Sequence, residues 1–379
     1  AADAPGDAGP ATEPTDGFSF AGLIGVTDPI RPGVREAVIA ARDAGIQVVM
    51  VTGDHPATAA AIARDAGLSD DPLVVVGDDL EARLAGMSDA ELRALVVVAR
   101  ATPSQKVLVV RALQRSGRIV AVTGDGVNDA PALQAADIGI AMGLGGTRSA
   151  REVSAIVLMD DNFGTIVTAI AEGRQLFANL RRSFAFLLIV HLPLVTSAAL
   201  VPLLGYPLLY LPVHIVWLEL LIHPAAILGF QQAAVSGLGR RADGADTRFF
   251  SRADALTIGG TGAAIAVGVI GLFVGAVARG AAPDHARALA LVALVSALAM
   301  VLAALAGWRN RSAMVVAAAA IGSTLLLALT PLGGIAHLHR LGWDEFLLAA
   351  VTGALPAAGA LLMRSRRRNR FIGAKDCGS

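Results

Sequence analysis

The residues Gly124 to Asp129 read GDGVND and place two aspartates four positions apart on a glycine-rich stretch directly after the apolar run RIVAV. Glycines permit turn conformations that other residues resist. Oxygen ligands held on such a turn suit a hard cation, and Mg²⁺ in particular is bound through one or two carboxylates together with phosphate oxygens. A calcium loop of the EF-hand type is excluded, because counting from Asp125 puts Ala130 at the sixth position and Ala136 at the twelfth, where Gly and Glu are required. A second short loop, Thr52-Gly53-Asp54, follows another apolar run, IQVVMV. Its hydroxyl and backbone N–H groups could hold phosphoryl oxygens. Lys106 is one of only two lysines in a sequence that otherwise uses arginine, which suits a compact point charge on phosphate. The plainer alternatives are two aspartates that cap a turn and a helix, and a solvated helix lysine. His55, beside Asp54, has no role that the sequence fixes and reads as a surface histidine or one behind the site.

These loops need a scaffold that brings them to one edge. From Phe18 to about Asp161, short apolar runs (FAGLIGV, IQVVMVTG, PLVVVG, ALVVVA, RIVAVTG, DIGIAM, SAIVLM) alternate with amphipathic stretches such as RPGVREAVIAARDAG and PSQKVLVVRALQRSG. Near-continuous apolar strands alternating with helices predict an α/β domain with a parallel sheet covered on both faces. Ligands of such sheets bind at the carboxyl ends of the strands, where VTGD and VTGDGVND fall. Residues 1–17, rich in Pro, Gly, Asp and Ala, read as a linker or cut edge.

The remainder of the 379-residue chain is different. The apolar share is 55% with a mean hydropathy of +0.62, and the excess lies after residue 183. Residues 1–170 carry 13 Lys/Arg against 22 Asp/Glu, and residues 171–379 carry 18 against 9. No basic stripe with interleaved aromatics marks the first half, which argues against nucleic acid as a partner. The single cysteine, Cys377, excludes a disulfide framework and a Cys-based metal site. After a mixed helix at 162–183, six apolar segments (184–204, 208–230, 255–278, 286–306, 313–333 and 343–363) are each near the roughly 20 residues that span a bilayer. With the first domain in the cytoplasm, the cytoplasmic flanks hold 15 Lys/Arg and the opposite side only Arg279, Arg287 and Arg340. That asymmetry predicts an all-α bundle of six transmembrane helices, both chain ends inside, followed by a basic tail at 364–379.

The motifs DPIRPGVREAVIAARDAGIQVVMVTGDH, ATPSQK, VTGDGVNDAPAL, DIGIAMG and DDNFGTIV together resemble the phosphorylation domain of P-type cation-transporting ATPases, closest to the calcium- and sodium-pump-like branch. The resemblance runs from about Phe18 to at least Phe230, and the six-helix end fits it. It implies a haloacid-dehalogenase-like fold at 18–161, a cytoplasmic stalk helix at 162–183, family helices five to ten at 184–363 and a plasma-membrane location. It also implies ATP and Mg²⁺ as cofactors and an aspartyl-phosphate intermediate. By this resemblance Thr52 and Gly53, with Asp54 in the same loop, contact the phosphoryl group; Lys106 neutralises it; Asp125 ligates Mg²⁺; and Asn128 and Asp129 complete that shell. The family nucleophile, an Asp in DKTGT, is absent from this sequence, as are a TGES-type loop, a nucleotide-binding insert and four membrane helices. The expectation is the C-terminal part of a pump (a fragment, a truncated product or half of a split protein) with a missing N-terminal half as partner. Alternatives are a non-catalytic membrane fragment that regulates or assembles with another pump, and a membrane-tethered phosphatase.

A charged group within a membrane span is expensive and marks function. Glu219 and His223 lie one helical turn apart on the second span, with Pro224 next, and His191 and Pro193 interrupt the first. Pro193 frees a backbone carbonyl of the sort that coordinates ions at broken transporter helices. These residues are the candidate path for a transported cation. One carboxylate and two imidazoles make a poor cage for a hard cation. Calcium is thus a family expectation, and a transition metal stays open although no Cys-Pro-Cys signature is present. His214, opposite His223 on the helix, is expected at the membrane interface.

Overall fold

The computed structural model describes residues 29–231 and 249–359. The proposed linker, the FAGLIGV strand and the basic tail lie outside the described residues, as do the flanking Arg240, Arg241 and Arg248. The chain forms two compact units, one ending at Asp161 and the other beginning at Asn162, with Ile39–Val48 belonging to the second.

The first unit follows the alternation expected from the sequence. After α1 (Val34–Asp43) come β1 (Met50–Val51), α2 (Pro56–Asp65), β2 (Val74–Val76), α3 (Leu80–Gly86), α4 (Asp89–Ala94), β3 (Val97–Ala99), α5 (Pro103–Arg115), β4 (Ala121–Gly124), α6 (Ala130–Ala135), β5 (Ile138–Met142), α7 (Arg148–Val153) and β6 (Ile156–Leu158). Local chemistry fixes where α5 starts. Thr102 accepts from the Gln105 N–H, Gln105 accepts from the Thr102 N–H in return, and Pro103 occupies the first turn, where its missing N–H costs nothing. Ser88 and Glu91 make the same reciprocal cap on α4.

All strand pairs are parallel, but they form two three-stranded sheets, ordered β1-β3-β2 and β4-β5-β6, rather than the single sheet expected. Helix α5 unites them. Its Val109, Val110 and Leu113 share one core with Val75 and Val98 of the first sheet and with Val120 and Ala132 beside the second. Burial of each such side chain contributes about 1.5–3 kcal/mol. Coverage varies across the sheets. On β4-β5-β6, Val122 and Ala141 pack against Leu133 of α6 and Ala150 of α7, whereas Ile138 and Ile156 on the other face are 37% and 46% exposed. At the centre both faces are covered, since Val97, Val98 and Ala99 of β3 and Ile140 and Ala141 of β5 are buried, and the division into two sheets arises because β1 and β4 each pair on one side only among the described residues.

The second unit is helical. The helices are α8 (Phe163–Leu203), α9 (Pro212–Leu228), α10 (Arg252–Ala278), α11 (Pro283–Ala306), α12 (Arg311–Leu329) and α13 (Trp343–Ala357), with a 3₁₀ turn at Pro331–Ala336 before the last. They occupy the positions of the six apolar segments. Four of them (α8, α10, α11 and α12) are long and apolar enough to cross a membrane; α9 is shorter, and the described part of α13 has 15 residues. The mixed helix and the first apolar segment are one continuous helix of 41 residues, about 60 Å long and so twice the roughly 30 Å of a hydrocarbon core. Helix α11 is apolar all round and buried along its length, as a helix without a polar face must be. Its closest neighbour is α13, because Gly353 lets the backbones meet: a Cβ at that position would lie 1.8 Å from the Ala293 carbonyl oxygen.

Gly353→Ala therefore forces α13 away from α11, with an overpacking cost of about 1–3 kcal/mol. Gly271→Ala, on open α10 surface, stays neutral or stabilises by up to about 1 kcal/mol. Thermal unfolding of the two variants in detergent micelles checks this, and equal melting temperatures contradict the packing account.

Candidate functional site

The two acidic and glycine loops sit at carboxyl ends of parallel strands, where ligands of such sheets bind. Thr52 directly follows β1. Its N–H donates to the Val98 carbonyl (2.9 Å) and its own carbonyl accepts from the Ala101 N–H (2.9 Å), so the loop is fastened to the segment that enters α5. The Thr52 hydroxyl donates to Asp54 Oδ2 (2.8 Å) and accepts from the Asp54 N–H (3.1 Å). This closed turn leaves Gly53 exposed at its tip. His55 is exposed and accepts from the Ala57 N–H (3.3 Å), capping α2.

Across from it, Asp125 and Asp129 play different parts. The Asp129 carboxylate accepts from Lys106 Nζ at 2.6 Å and from the Gly126 N–H at 3.2 Å. Lys106 lies in the second turn of α5, so this half-buried ion pair joins the helix after β3 to the loop after β4. Gly124 makes room for it, because a Cβ there would lie 2.5 Å from Asp129 Cβ. The Asp125 carboxylate is exposed and unpaired among the described residues, while its carbonyl accepts from the Thr147 N–H (2.7 Å). Asn128 is exposed in the short turn Val127–Asp129. Among the described residues no three His, Cys, Asp or Glu side chains form a metal cage. The donor set thus fits an ion that takes one or two carboxylates and completes its shell with phosphate oxygens and water, which is the habit of Mg²⁺.

Further residues contribute that sequence reasoning missed. Gln105 donates to the Gly77 carbonyl (2.6 Å), pinning the start of α5 to the end of β2. The Asp161 carboxylate accepts from the N–H groups of Gly143 (2.7 Å), Leu144 (3.0 Å) and Gly145 (2.7 Å). The available signal was the run GLGGT followed by DDNF, but pairing the two requires knowing that β5 and β6 are neighbours.

In the helical unit the structure brings together the three residues singled out for a cation. His191 Nε2 of α8 lies 3.5 Å from Glu219 Oε1 of α9, and His223 Nδ1 lies 2.9 Å from Glu219 Oε2. The second contact is not a hydrogen bond. His223 Nδ1 is directed at the Glu219 carbonyl (3.2 Å), and Oε2 is buried without a partner. Both Nδ1 atoms face carbonyls, His191 that of Leu187 at 2.9 Å, a geometry that suits the Nδ1–H tautomer. The carbonyl freed by Pro193 is that of Ile189, and a Cβ at Gly262 of α10 would lie 3.3 Å from its oxygen. His214, in the first turn of α9, is buried within the protein: its Nδ1 accepts from the Leu211 N–H (3.2 Å) and its Nε2 donates to the Ala336 carbonyl (2.6 Å), 122 residues away.

Comparison with known proteins finds matches to both regions. Residues 5–137 match the model for haloacid dehalogenase-like hydrolases, and residues 207–365 match that for the C-terminus of cation-transporting ATPases. The chain is 42% identical over 217 residues to calcium-transporting ATPase 1 of Bacillus cereus, covering 55% of this chain and 24% of that protein. Identity is 42% over 222 residues with the sodium/potassium-transporting ATPase subunit alpha-4 of Rattus norvegicus, covering 52% of this chain and 22% of the subunit. It is 48% over 212 residues with the cation-transporting ATPase pma1 of Synechocystis sp., covering 54% and 23%. The chain thus carries a haloacid dehalogenase-like region and a cation-transporting ATPase C-terminal region, and its relatives are P-type cation-transporting ATPases. It spans about a quarter of the length of the curated P-type relatives it matches, and its two family matches fall on the two structural units.

The Gly124 contact gives a direct check. Gly124→Ala displaces Asp129 from Lys106 and destabilises the first unit by about 1–3 kcal/mol, whereas Gly126→Ala, with its nearest contact at 3.5 Å, changes stability by less. Denaturant unfolding followed by hydrogen exchange of the β4 amides measures the difference, and equal effects contradict the assigned packing.

Proposed function

We propose that this chain supplies the magnesium and phosphate half of an aspartyl-phosphate site, and part of the intramembrane cation path, in an ATP-driven P-type pump. The observation that carries this reading is the Lys106–Asp129 ion pair at the carboxyl edge, beside an unpaired Asp125 and the closed Thr52-Gly53-Asp54 turn. Residues 18–161 serve as part of the phosphorylation domain, 162–183 as the stalk, 184–363 as six spans and 364–379 as a cytoplasmic tail. The distribution of Arg and Lys supports a cytoplasmic first unit with both ends of this segment inside, and the plasma membrane is the location proposed from the family resemblance.

Bound at Asp125, Mg²⁺ would neutralise charge on the transferring phosphoryl group. The chain's own residues do the rest. Asp125 and Asp129 offer the carboxylates, and Asn128 adds a side-chain amide at the same turn. Lys106, released in part from Asp129, brings a positive charge to the phosphoryl oxygens. The Thr52 hydroxyl and the Gly53 N–H orient those oxygens, with Asp54 holding the turn. No residue here acts as the nucleophile in this reading, so the attacking Asp and the ATP-binding surface are supplied from outside this sequence. The single-sided pairing of β1 and β4 supports this, because a further parallel strand can join either edge.

Glu219, His191 and His223 form the proposed contribution to the cation path. Relatives are named for calcium and for sodium/potassium. The donor set here, with one carboxylate between two imidazoles, favours a small cation other than calcium or a site completed by other helices.

Two outcomes test the reading. The purified chain alone forms no hydroxylamine-sensitive phosphoenzyme from labelled ATP; when it is combined with an N-terminal half bearing the Asp nucleophile, phosphoenzyme forms and Asp125→Asn abolishes it. Near-normal phosphoenzyme in that variant refutes the site. In the same completed pump, Glu219→Gln shifts the cation dependence of ATPase activity, and His214→Ala, whose ring is committed to Leu211 and Ala336, affects stability instead. Unchanged cation dependence in Glu219→Gln places the path elsewhere.

A further inference from the structure

The loop after β5, residues 143–147 (GLGGT), is held at both ends by residues with quite different places in the chain. At its start, three consecutive N–H groups converge on the Asp161 carboxylate, Gly143 and Leu144 on Oδ1 at 2.7 and 3.0 Å and Gly145 on Oδ2 at 2.7 Å. Successive backbone N–H groups of this kind form a concave anion cradle, and here a carboxylate of the chain itself fills it. At its far end, the Thr147 N–H donates to the Asp125 carbonyl at 2.7 Å. Between the two anchors, Gly146 packs so tightly on the Met142 carbonyl that a Cβ would lie 1.9 Å from it, which leaves the loop little slack.

Asp161 is itself in an unusual state. It adopts the left-handed conformation (φ 48°), uncommon for a residue other than glycine, and its carbonyl accepts from Arg31 Nη1 at 2.9 Å. Burial works to raise the Asp161 carboxyl, but the Gly145, Leu144 and Gly143 N–H groups, aided by Arg31, hold it below the usual carboxylate range. Its contribution is therefore present above the ordinary carboxylate pKa and lost only as pH falls through the lower folded value. One peptide bond further on, Asn162 caps α8 by accepting from the Gly164 N–H at 2.8 Å, and α8 carries His191.

We propose that Asp161 is a positioning residue for Asp125: through the 143–147 loop it holds the backbone of the proposed Mg²⁺ ligand in place. The inference rests on the reading of Asp125 given above. The chain of bonds runs from the Asp161 carboxylate to the Gly143, Leu144 and Gly145 amides, along the tight loop to the Thr147 amide, and from there to the Asp125 carbonyl. A local staple for the β5–α7 connection is the competing account, and it predicts no effect at Asp125.

The test uses the full chain in lipid nanodiscs, with Asp161→Asn, Thr147→Pro, the double variant and Asp125→Asn. Asparagine keeps one acceptor oxygen but turns an N–H₂ toward the cradle. Proline at 147 matches the native φ of −68° and deletes the N–H that reaches Asp125. Without metal, Asp161→Asn speeds hydrogen exchange at Thr147 by about tenfold, the loss of a charge-assisted bond, while the β4–β5 ladder amides stay protected. With Mn²⁺ as a paramagnetic probe of the Mg²⁺ site, Asp161→Asn and Thr147→Pro each weaken binding by roughly three- to tenfold. The double variant is no weaker than the worse single one, because both cut the same route. Unchanged exchange at Thr147, equal opening of the β4–β5 ladder, or additive losses of Mn²⁺ affinity overturns the proposal. Unchanged Mn²⁺ binding in Asp125→Asn overturns the Mg²⁺ reading itself, an outcome separable from the metal-free exchange result.

Discussion

The ion pair between Lys106 and Asp129 is the contact on which the candidate site depends. It spans 23 residues of sequence and joins α5, which follows the first sheet, to the turn that follows the second. Hydrophobic packing around Val98, Val110 and Val120 brings the two sheets onto one helix, but it does not set the relation of their carboxyl edges. The ion pair does. Being half-buried at 2.6 Å and supported by the Gly126 N–H, it is less screened than a surface pair. It also keeps a positive charge beside the unpaired Asp125, in a place where phosphate oxygens would compete for it.

The rest of the first unit can be understood as support for that arrangement. Gln105 and the Thr102 cap hold the start of α5 against the end of β2, and Ala101 ties the same segment to the Thr52 turn. On the other side, the loop from Gly143 to Thr147 holds Asp125 from behind. Most of these bonds are made by backbone groups, which leaves the exposed side chains of Asp125 and Asn128 free to bind.

Much of this was legible in the sequence, because it is written locally. The amphipathic stretch from Pro103 predicted α5, the GDGVND loop fell at the carboxyl end of a strand as expected, and the apolar segments located six helices. What escaped detection depends on contacts between distant segments. Nothing near His214 signals that the Ala336 carbonyl will reach its ring, and an apolar helix by itself does not reveal that Gly353 meets Ala293. The direction of the Ile189 carbonyl likewise depends on where α10 packs. The division into two sheets was hidden for another reason: apolar runs specify strands but not which edges remain unpaired.

The central claim is that Asp125 takes the metal while Lys106 serves the phosphoryl group. The most direct test is a cryo-EM structure of this chain combined with its N-terminal half, in the presence of Mg²⁺ and beryllofluoride as a phosphoryl mimic. The account predicts metal density about 2.1 Å from an Asp125 carboxylate oxygen, with Lys106 Nζ against the beryllofluoride. Metal bound away from Asp125, or a Lys106 still paired only with Asp129 in the loaded state, would contradict it.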